Sequence, residues 1–193
     1  IRNIGVIGTG RQARLQVQYL KSITDCRILN IWGRNKKKTE KYKLELSIIG
    51  FDVRISESPK KVAKLSNLII TATSSEEPLL KEIDINPGTH ITAVGADTPS
   101  KNELDTSILK RADLVIADSF SQCKVRGEVS HALSKKVISS SKVIELGLIL
   151  SGKKPGRTLR DQITVADLTG VAVQDLQIAT AIYEKYLKVR NEI

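Results

Sequence analysis

A chain of 193 residues with 40% hydrophobic and 27% charged residues is long enough for one well-buried core and too short for two large domains. No apolar run reaches membrane-spanning length and no signal-peptide pattern opens the chain, which excludes a spanning segment and gives a cytoplasmic location as the default expectation. The formal charge of +10 raises nucleic acid as a partner, but only 4% of the residues are aromatic and no nucleic-acid module is recognisable. Lysines spread over solvated helix faces account for the charge, with some benefit to an anionic ligand.

Ile4-Gly5-Val6-Ile7 reads as a buried strand that enters Gly8-Thr9-Gly10-Arg11-Gln12-Ala13, a Gly-x-Gly-x-x-Ala turn, and then a helix over Gln12 to Ile23. In such a turn the first glycine bends the chain and the second lets backbone approach a diphosphate. The small third residue packs helix on strand, and free N–H groups face phosphate. That is a dinucleotide seat. A second strand, Arg27 to Trp32, follows at the expected distance and ends Trp32-Gly33-Arg34-Asn35 without an acid. An acid there would favour NAD by accepting the ribose hydroxyls, whereas Arg34 suits the extra phosphate of NADP, with Gly33 leaving room for it. NADP(H) is therefore expected ahead of NAD(H). Arg34 also reads as the start of a solvated basic helix with Lys36, Lys37, Lys38, Lys41 and Lys43, and both readings are compatible.

That charged helix covers about Lys37 to Ile48, and Asp52 to Ser56 is a third strand. Ser58-Pro59 opens a short helix, and Asn67 to Thr73 is a continuous apolar strand of the kind buried on both faces. Thr89 to Ala96 is a fifth strand, Ser100 to Arg111 a helix introduced by a Ser100/Glu103 capping box, and Asp113 to Asp118 a sixth strand. Helical material from about Gln122 to Leu133 precedes an exposed loop, Ser134 to Lys142. Val143 to Leu150 reads as a short helix, Lys153 to Asp161 as a loop, Ile163 to Asp167 as a further strand, and Val171 to Val189 as a long helix. Its face of Ala172, Leu176, Ala179, Tyr183 and Tyr186 needs a surface to cover. The alternation predicts a Rossmann-type α/β fold, a doubly wound parallel sheet over residues 1–170, with a C-terminal helix at 171–193 that packs on the sheet or on a missing domain. The chain has no methionine and opens at Ile1 inside a strand, so residues are expected before it.

Chemistry is expected at the ends of the fourth and fifth strands. Thr71-Ala72-Thr73-Ser74-Ser75 is small and hydroxylic, suited to a coenzyme ribose, or equally a polar strand end. In Val94-Gly95-Ala96-Asp97-Thr98-Pro99, small residues precede a carboxylate that would project toward a nicotinamide and exchange a proton with a substrate amine or imine. Asp97 also reads as a turn cap before Pro99. His90 reads as a satisfied core residue and His131 as solvated. Cys26 and Cys123 read as reduced packing residues outside any metal spacing, and no metal site is expected. Hydrolase motifs are absent from the sequence.

Gly8 to Gln16 resembles the glycine segment of the ornithine cyclodeaminase/mu-crystallin family. Pro87 to Asp97 with Lys101-x-Glu103-Leu104, Glu145-Leu146-Gly147 with Gly152 to Arg157, and Ile163 to Asp175 resemble three further segments of it. The resemblance spans nearly the whole chain. It implies a two-domain enzyme that moves hydride between a nicotinamide and the alpha carbon of an amino or imino acid. Members include ornithine cyclodeaminases, ketimine and pyrroline-carboxylate reductases and some alanine dehydrogenases, together with mu-crystallin-like binders without turnover.

By this resemblance Asp97 is the proton-transfer group and Lys101 its support. Coenzyme contacts fall at Gly8, Thr9, Gly10, Arg11, Gln12, Ala13, Arg34, Asn35, Thr71, Ala72, Thr73, Val94, Gly95 and Thr169. Ser100 stands where relatives usually have Gly. A substrate domain before the glycine turn would hold the substrate carboxylate and form a homodimer. Imino-acid or ketimine reduction is expected ahead of ornithine cyclisation with NAD, because net reductases favour NADPH.

Overall fold

The computed structural model describes residues 1–191. Eight strands form one sheet in the order β3-β2-β1-β4-β5-β8-β6-β7, and every neighbouring pair is parallel. The strands are β1 (Ile4–Ile7), β2 (Ile28–Trp32), β3 (Asp52–Ile55), β4 (Leu68–Thr71), β5 (His90–Ala93), β6 (Leu114–Ala117), β7 (Val143–Glu145) and β8 (Thr164–Asp167). The helices are α1 (Arg11–Leu20), α2 (Lys36–Ile48), α3 (Pro59–Leu65), α4 (Thr106–Arg111), α5 (Phe120–Cys123), α6 (Glu128–Ser134), α7 (Leu146–Leu150) and α8 (Ala172–Asn191). The expected doubly wound α/β sheet is present.

Side chains that alternate across each strand explain why the central strands read as unbroken apolar runs. In β1, Ile4 and Val6 join a cluster with Ala13, Val17, Tyr42 and Leu46 from α1 and α2. Ile7 faces the other way, into a cluster with Val62, Leu80, Ile108, Leu109 and Val129. Between them Gly5 lets α3 approach: a Cβ there would lie 2.7 Å from Val62 Cγ1. Cys123 is fully buried and Cys26 packs at the edge of the first cluster, as packing residues.

Three elements differ from the sequence expectation, and one strand takes a sheet position that the sequence left open. Val143–Glu145 is an edge strand rather than the start of a helix, because a three-residue ladder with β6 satisfies its backbone. The last strand, β8, inserts between β5 and β6. The helix expected over Gln122 to Leu133 breaks into α5 and α6 at Gly127, whose φ is +89° and whose Cβ position is filled by the Asp167 carboxylate at 2.6 Å. The helix expected from Ser100 begins only at Thr106, because Asp105, and not Ser100, caps it by accepting from the Ser107 N–H at 2.9 Å. Glu103 is freed from the expected capping box.

The side chains of α8 are exposed along Ala172–Arg190, including Leu176, Tyr183 and Tyr186. The sheet therefore does not cover this helix. Among the described residues no helix is long and apolar enough to cross a membrane.

The β1–α1 turn rests on Gly8. Its φ is +121° and an added Cβ would lie 2.3 Å from the Ala72 carbonyl oxygen, so Gly8→Ala combines backbone strain with a clash. We expect a loss of about 1–3 kcal/mol in chemical denaturation, and an unchanged unfolding midpoint would contradict this reading of the turn.

Candidate functional site

A cleft of about 400 Å³ opens at the carboxyl ends of β1, β2 and β4, where the strand order reverses direction between β1 and β4. Gly8, Thr9 and Gly10 form one wall, Trp32, Gly33, Arg34, Asn35 and Lys38 a second, and Ala72 to Ser75 with Leu79 a third. The N-terminus of α1 begins at this turn. No side chain caps it and its first turn holds no acid, so its orphan N–H groups and the positive end of its dipole remain available to an anion. A Cβ at Gly10 would meet nothing within 4 Å, so backbone is presented bare at the cleft.

The loop is fixed from behind by Arg14, a residue the sequence reading left without a role. Its guanidinium donates to the Thr9 and Gly10 carbonyls, pairs with Glu45 at 2.7 Å and lies 4.8 Å above the Tyr42 ring. The Tyr42 hydroxyl in turn donates to the Ala13 carbonyl at 2.9 Å. The ion pair is about one-third exposed and contributes only about 0.2–1 kcal/mol. What matters is that the planar fork occupies the loop carbonyls and turns the loop's donors outward.

The structure groups seven of the expected coenzyme residues around this cleft: Gly8, Thr9, Gly10, Arg34, Asn35, Ala72 and Thr73. Trp32, Lys38 and Leu79 join them. Arg11 and Gln12 are exposed on the first turn of α1, whereas Ala13 is fully buried beneath it, the packing role its size suggested. The Asn35 side chain is committed to capping α2, accepting from the Lys38 N–H at 3.0 Å. Gly33 does not open room for a ligand group, contrary to the expectation from its size. The space beside it is filled by Thr9 Cγ2 and Thr39 Oγ1, which a Cβ would meet at 2.6 and 2.7 Å, so it admits the protein's own side chains rather than a bulky ligand group.

Thr71 is buried at the end of β4, Val94 donates its N–H to the Thr71 carbonyl at 2.9 Å, and Gly95 follows in the same β5 terminus. None of these three lines the cleft. Thr169 lies elsewhere, beyond β8, where its buried hydroxyl donates to Asp118 Oδ1 at 3.3 Å. Asp97 is exposed beyond β5, and Lys101 Nζ lies 2.6 Å from its Oδ1. Ser100 and Lys101 belong to the non-helical segment before α4, which is what lets Lys101 fold back on Asp97. His131, expected to be solvated, is half-buried with Nε2 2.9 Å from the Lys101 carbonyl. His90 is held by Thr164 at 2.6 Å, and burial beside Arg157 lowers its pKa to about 4, as suits a neutral core histidine.

Below the strand ends sits an acidic layer that the sequence reading missed. Glu103, Glu128 and Asp167 are buried and spend their oxygens on backbone. Glu128 accepts from the Glu103 and Leu104 N–H groups at 2.8 and 3.1 Å and from Asn102 Nδ2 at 2.6 Å. Asp167 accepts from the Val129 N–H at 2.8 Å. Burial, reinforced by the charge of Asp167, pushes Glu128 up to about 8, and burial pushes Asp167 up to about 7. Burial beside Asp167 and Asp118 also raises the Cys123 thiol, an inert setting for a cysteine.

A model of the ornithine cyclodeaminase/mu-crystallin family matches residues 2–190, and the chain belongs to that family. It is 36% identical over 184 residues to an alanine dehydrogenase of Archaeoglobus fulgidus, covering 95% of this chain and 56% of that one. Among solved structures it superposes on an archaeal alanine dehydrogenase dimer with bound NAD at a TM-score of 0.93 and 32% identity, covering 98% of this chain and 59% of the other. It also superposes on Thermococcus litoralis Δ1-pyrroline-2-carboxylate reductase in complex with NADH and L-proline, at 0.92 and 28% identity, covering 97% and 58%. The chain spans little more than half the length of these relatives.

The buried acids carry a pH signature. Glu128 and Asp167 hold protons in the folded state at pH values where the unfolded chain, near 4.5 and 3.8, has released them. Their contribution to stability is full below those unfolded values and is lost as pH rises through about 7 and 8. The opposing titration of His90, between its folded value of about 4 and its unfolded 6.5, offsets only one of the two losses and fades above pH 6.5. The thermal midpoint is therefore expected to fall from pH 6.5 to about 8 and then level, with a shallower fall in Asp167→Asn. A midpoint that rises over this interval, or an identical slope in the variant, would count against protonated buried acids.

Proposed function

We propose that this chain is the coenzyme-binding part of a nicotinamide-dependent oxidoreductase acting at the alpha carbon of an amino or imino acid, with reduction of a ketimine or cyclic imino acid as the favoured reaction. The observation that carries this is the placement of the Asp97–Lys101 pair one strand beyond a phosphate-type cleft, in a chain whose relatives include an alanine dehydrogenase and a pyrroline-carboxylate reductase. The residues fit such a coenzyme on three counts: bare backbone at Gly10, an uncapped α1 N-terminus, and a rim of Arg34 and Lys38 with no acid among the cleft-lining residues.

The free N–H groups of the Gly10 to Ala13 segment would hold the diphosphate. Arg34, just past β2, and Lys38, in the first turn of α2, line the cleft where a ribose phosphate would lie, and we assign NADP(H) as the preferred coenzyme on their charge alone, since Gly33 gives it no extra room. The two superposed structures are described with NAD and NADH, so NAD(H) is the competing assignment. When bound, the nicotinamide supplies the two-electron hydride chemistry. Asp97 exchanges a proton with the substrate nitrogen through Oδ2, the oxygen that Lys101 leaves free. Lys101 Nζ, 2.6 Å away, orients that carboxylate and balances its charge.

We assign the substrate-carboxylate ligands to a segment outside this chain, which would also cover the exposed apolar residues of α8 and build a homodimer. Location in the cytoplasm goes with that reading. Ornithine cyclisation, a lyase outcome with NAD, uses the same residues, and a crystallin-like binder would keep the cleft without turnover.

The test is oxidation of NADPH by the full-length protein with Δ1-pyrroline-2-carboxylate or Δ1-piperideine-2-carboxylate, followed at the reduced-nicotinamide absorbance. Turnover is expected, with at least a hundredfold loss in Asp97→Asn, an effect of the size proton-transfer groups supply, about 10²–10⁴. No turnover across several imino acids would favour the binder. Tighter binding of NADH than NADPH would overturn the coenzyme preference.

A further inference from the structure

Glu103 is fully buried, does not line the coenzyme cleft and takes no part in the chemistry assigned to Asp97. Its carboxylate nonetheless accepts three hydrogen bonds from beyond two different strand ends. Oε1 accepts from the Thr73 N–H at 2.6 Å and the Thr73 hydroxyl at 2.7 Å, and Oε2 accepts from the Gly95 N–H at 3.0 Å. Both N–H groups lie two residues past the last residues of β4 and β5, Thr71 and Ala93. The side chain thus supplies acceptors where the ladder has run out.

Resting on the function proposed above, we propose that Glu103 is a positioning residue that holds the coenzyme-cleft wall at Thr73 in register with the turn carrying Asp97. Thr73 lines the cleft. Gly95 is two residues before Asp97, and its carbonyl accepts the Asp97 N–H at 3.0 Å. Lys101, two residues before Glu103, closes the same loop on Asp97. The segment from Gly95 to Glu103 is therefore pinned at both ends by one carboxylate and at its middle by one ion pair.

The clamp is itself held rigidly. The Glu103 N–H donates to Glu128, its carbonyl accepts the Leu79 N–H at 2.7 Å, and the neighbouring Asn102 N–H donates to the Ser75 carbonyl at 2.8 Å. A side chain anchored on both sides of its own backbone transmits position rather than absorbing it. Gly95 completes the fit: a Cβ there would lie 2.4 Å from Glu103 Oε2 and 2.4 Å from the Thr73 carbonyl oxygen. The glycine is required by the clamp, which is a different reason from the open path to a nicotinamide that the sequence suggested.

An ionised carboxylate is the group this geometry asks for, since all three partners donate to it. An amide has one oxygen and one NH₂, so Glu103→Gln sets N–H against N–H at Thr73 or at Gly95 while keeping the volume. Burial raises the Glu103 pKa, opposed by the hydrogen bonds from Thr73 and Gly95, so the clamp is held against a solvation cost, as expected of a group retained for geometry.

The experiment compares wild type, Glu103→Gln, Gly95→Ala, which pushes on the clamp from the opposite side, and Leu109→Ala, a core truncation away from it. Amide exchange by NMR and steady-state kinetics are read on the full-length protein. Glu103→Gln is expected to speed exchange at Thr73 and Gly95 at least tenfold with Ile7 unchanged, and to lower kcat about 10–100-fold, the scale of an ångström-sized misplacement. The NADPH dissociation constant should stay within about threefold, because the α1 N-terminus is untouched. Gly95→Ala should give the same pattern, and Leu109→Ala should lower the thermal midpoint without it. Unchanged exchange at Thr73 and Gly95, or a kcat loss no larger than that of Leu109→Ala, would overturn the proposal. Should the wild type turn over no imino acid, the functional reading fails on its own and the exchange result decides the clamp.

Discussion

At Gly8 the chain turns with φ +121° against the Ala72 carbonyl, and the arrangement of the sheet's carboxyl edge depends on that contact. The Gly8 N–H donates to the Trp32 carbonyl at 2.8 Å, so a single residue ties the ends of β1, β2 and β4 together. With the turn fixed, α1 starts at the switch in strand order, its N–H groups meet no side-chain cap, and Arg14 occupies the loop carbonyls from behind. An anion-binding surface follows from backbone geometry, with Arg34 and Lys38 adding charge at its rim.

A second constraint works one layer deeper. Backbone N–H groups that no ladder or helix satisfies are taken up by three buried acids: Glu103 beyond the ends of β4 and β5, Glu128 on the Asn102 to Leu104 segment, and Asp167 at the start of α6. Together they hold the loops that present Thr73, Asp97 and Lys101. Burying these carboxylates raises their pKa values, so the same groups that set the geometry make stability fall as pH rises past neutrality.

The sheet was legible in the sequence because its strands are buried on both faces and short glycine turns separate them from their helices. Asn67 to Thr73 and Ile4 to Gly8 leave little choice. What misled was local chemistry with two uses. Ser100 and Glu103 fit a capping box by spacing, but Asp105 sits next to Thr106 and caps better, and a glutamate beside two strand ends gains three donors that a helix start could not offer. Gly33 looked like room for a ligand group and Gly95 like a loss of bulk that lets Asp97 project, yet tertiary neighbours fill both spaces. Val143–Glu145 is too short to show a strand period, and only pairing with β6 defines it. Nothing in the sequence gave Arg14 or Lys38 a role at the site. Their positions on α1 and α2 are ordinary solvated ones until the helices are brought together at the cleft.

The most direct measurement is a crystal structure of the full-length protein with NADPH. The expected result has the diphosphate within hydrogen-bonding distance of the first-turn N–H groups of α1 and the nicotinamide ring facing the Asp97 carboxylate. Coenzyme bound away from Gly8 to Ala13, or Asp97 turned from the ring into a purely structural pair with Lys101, would contradict it.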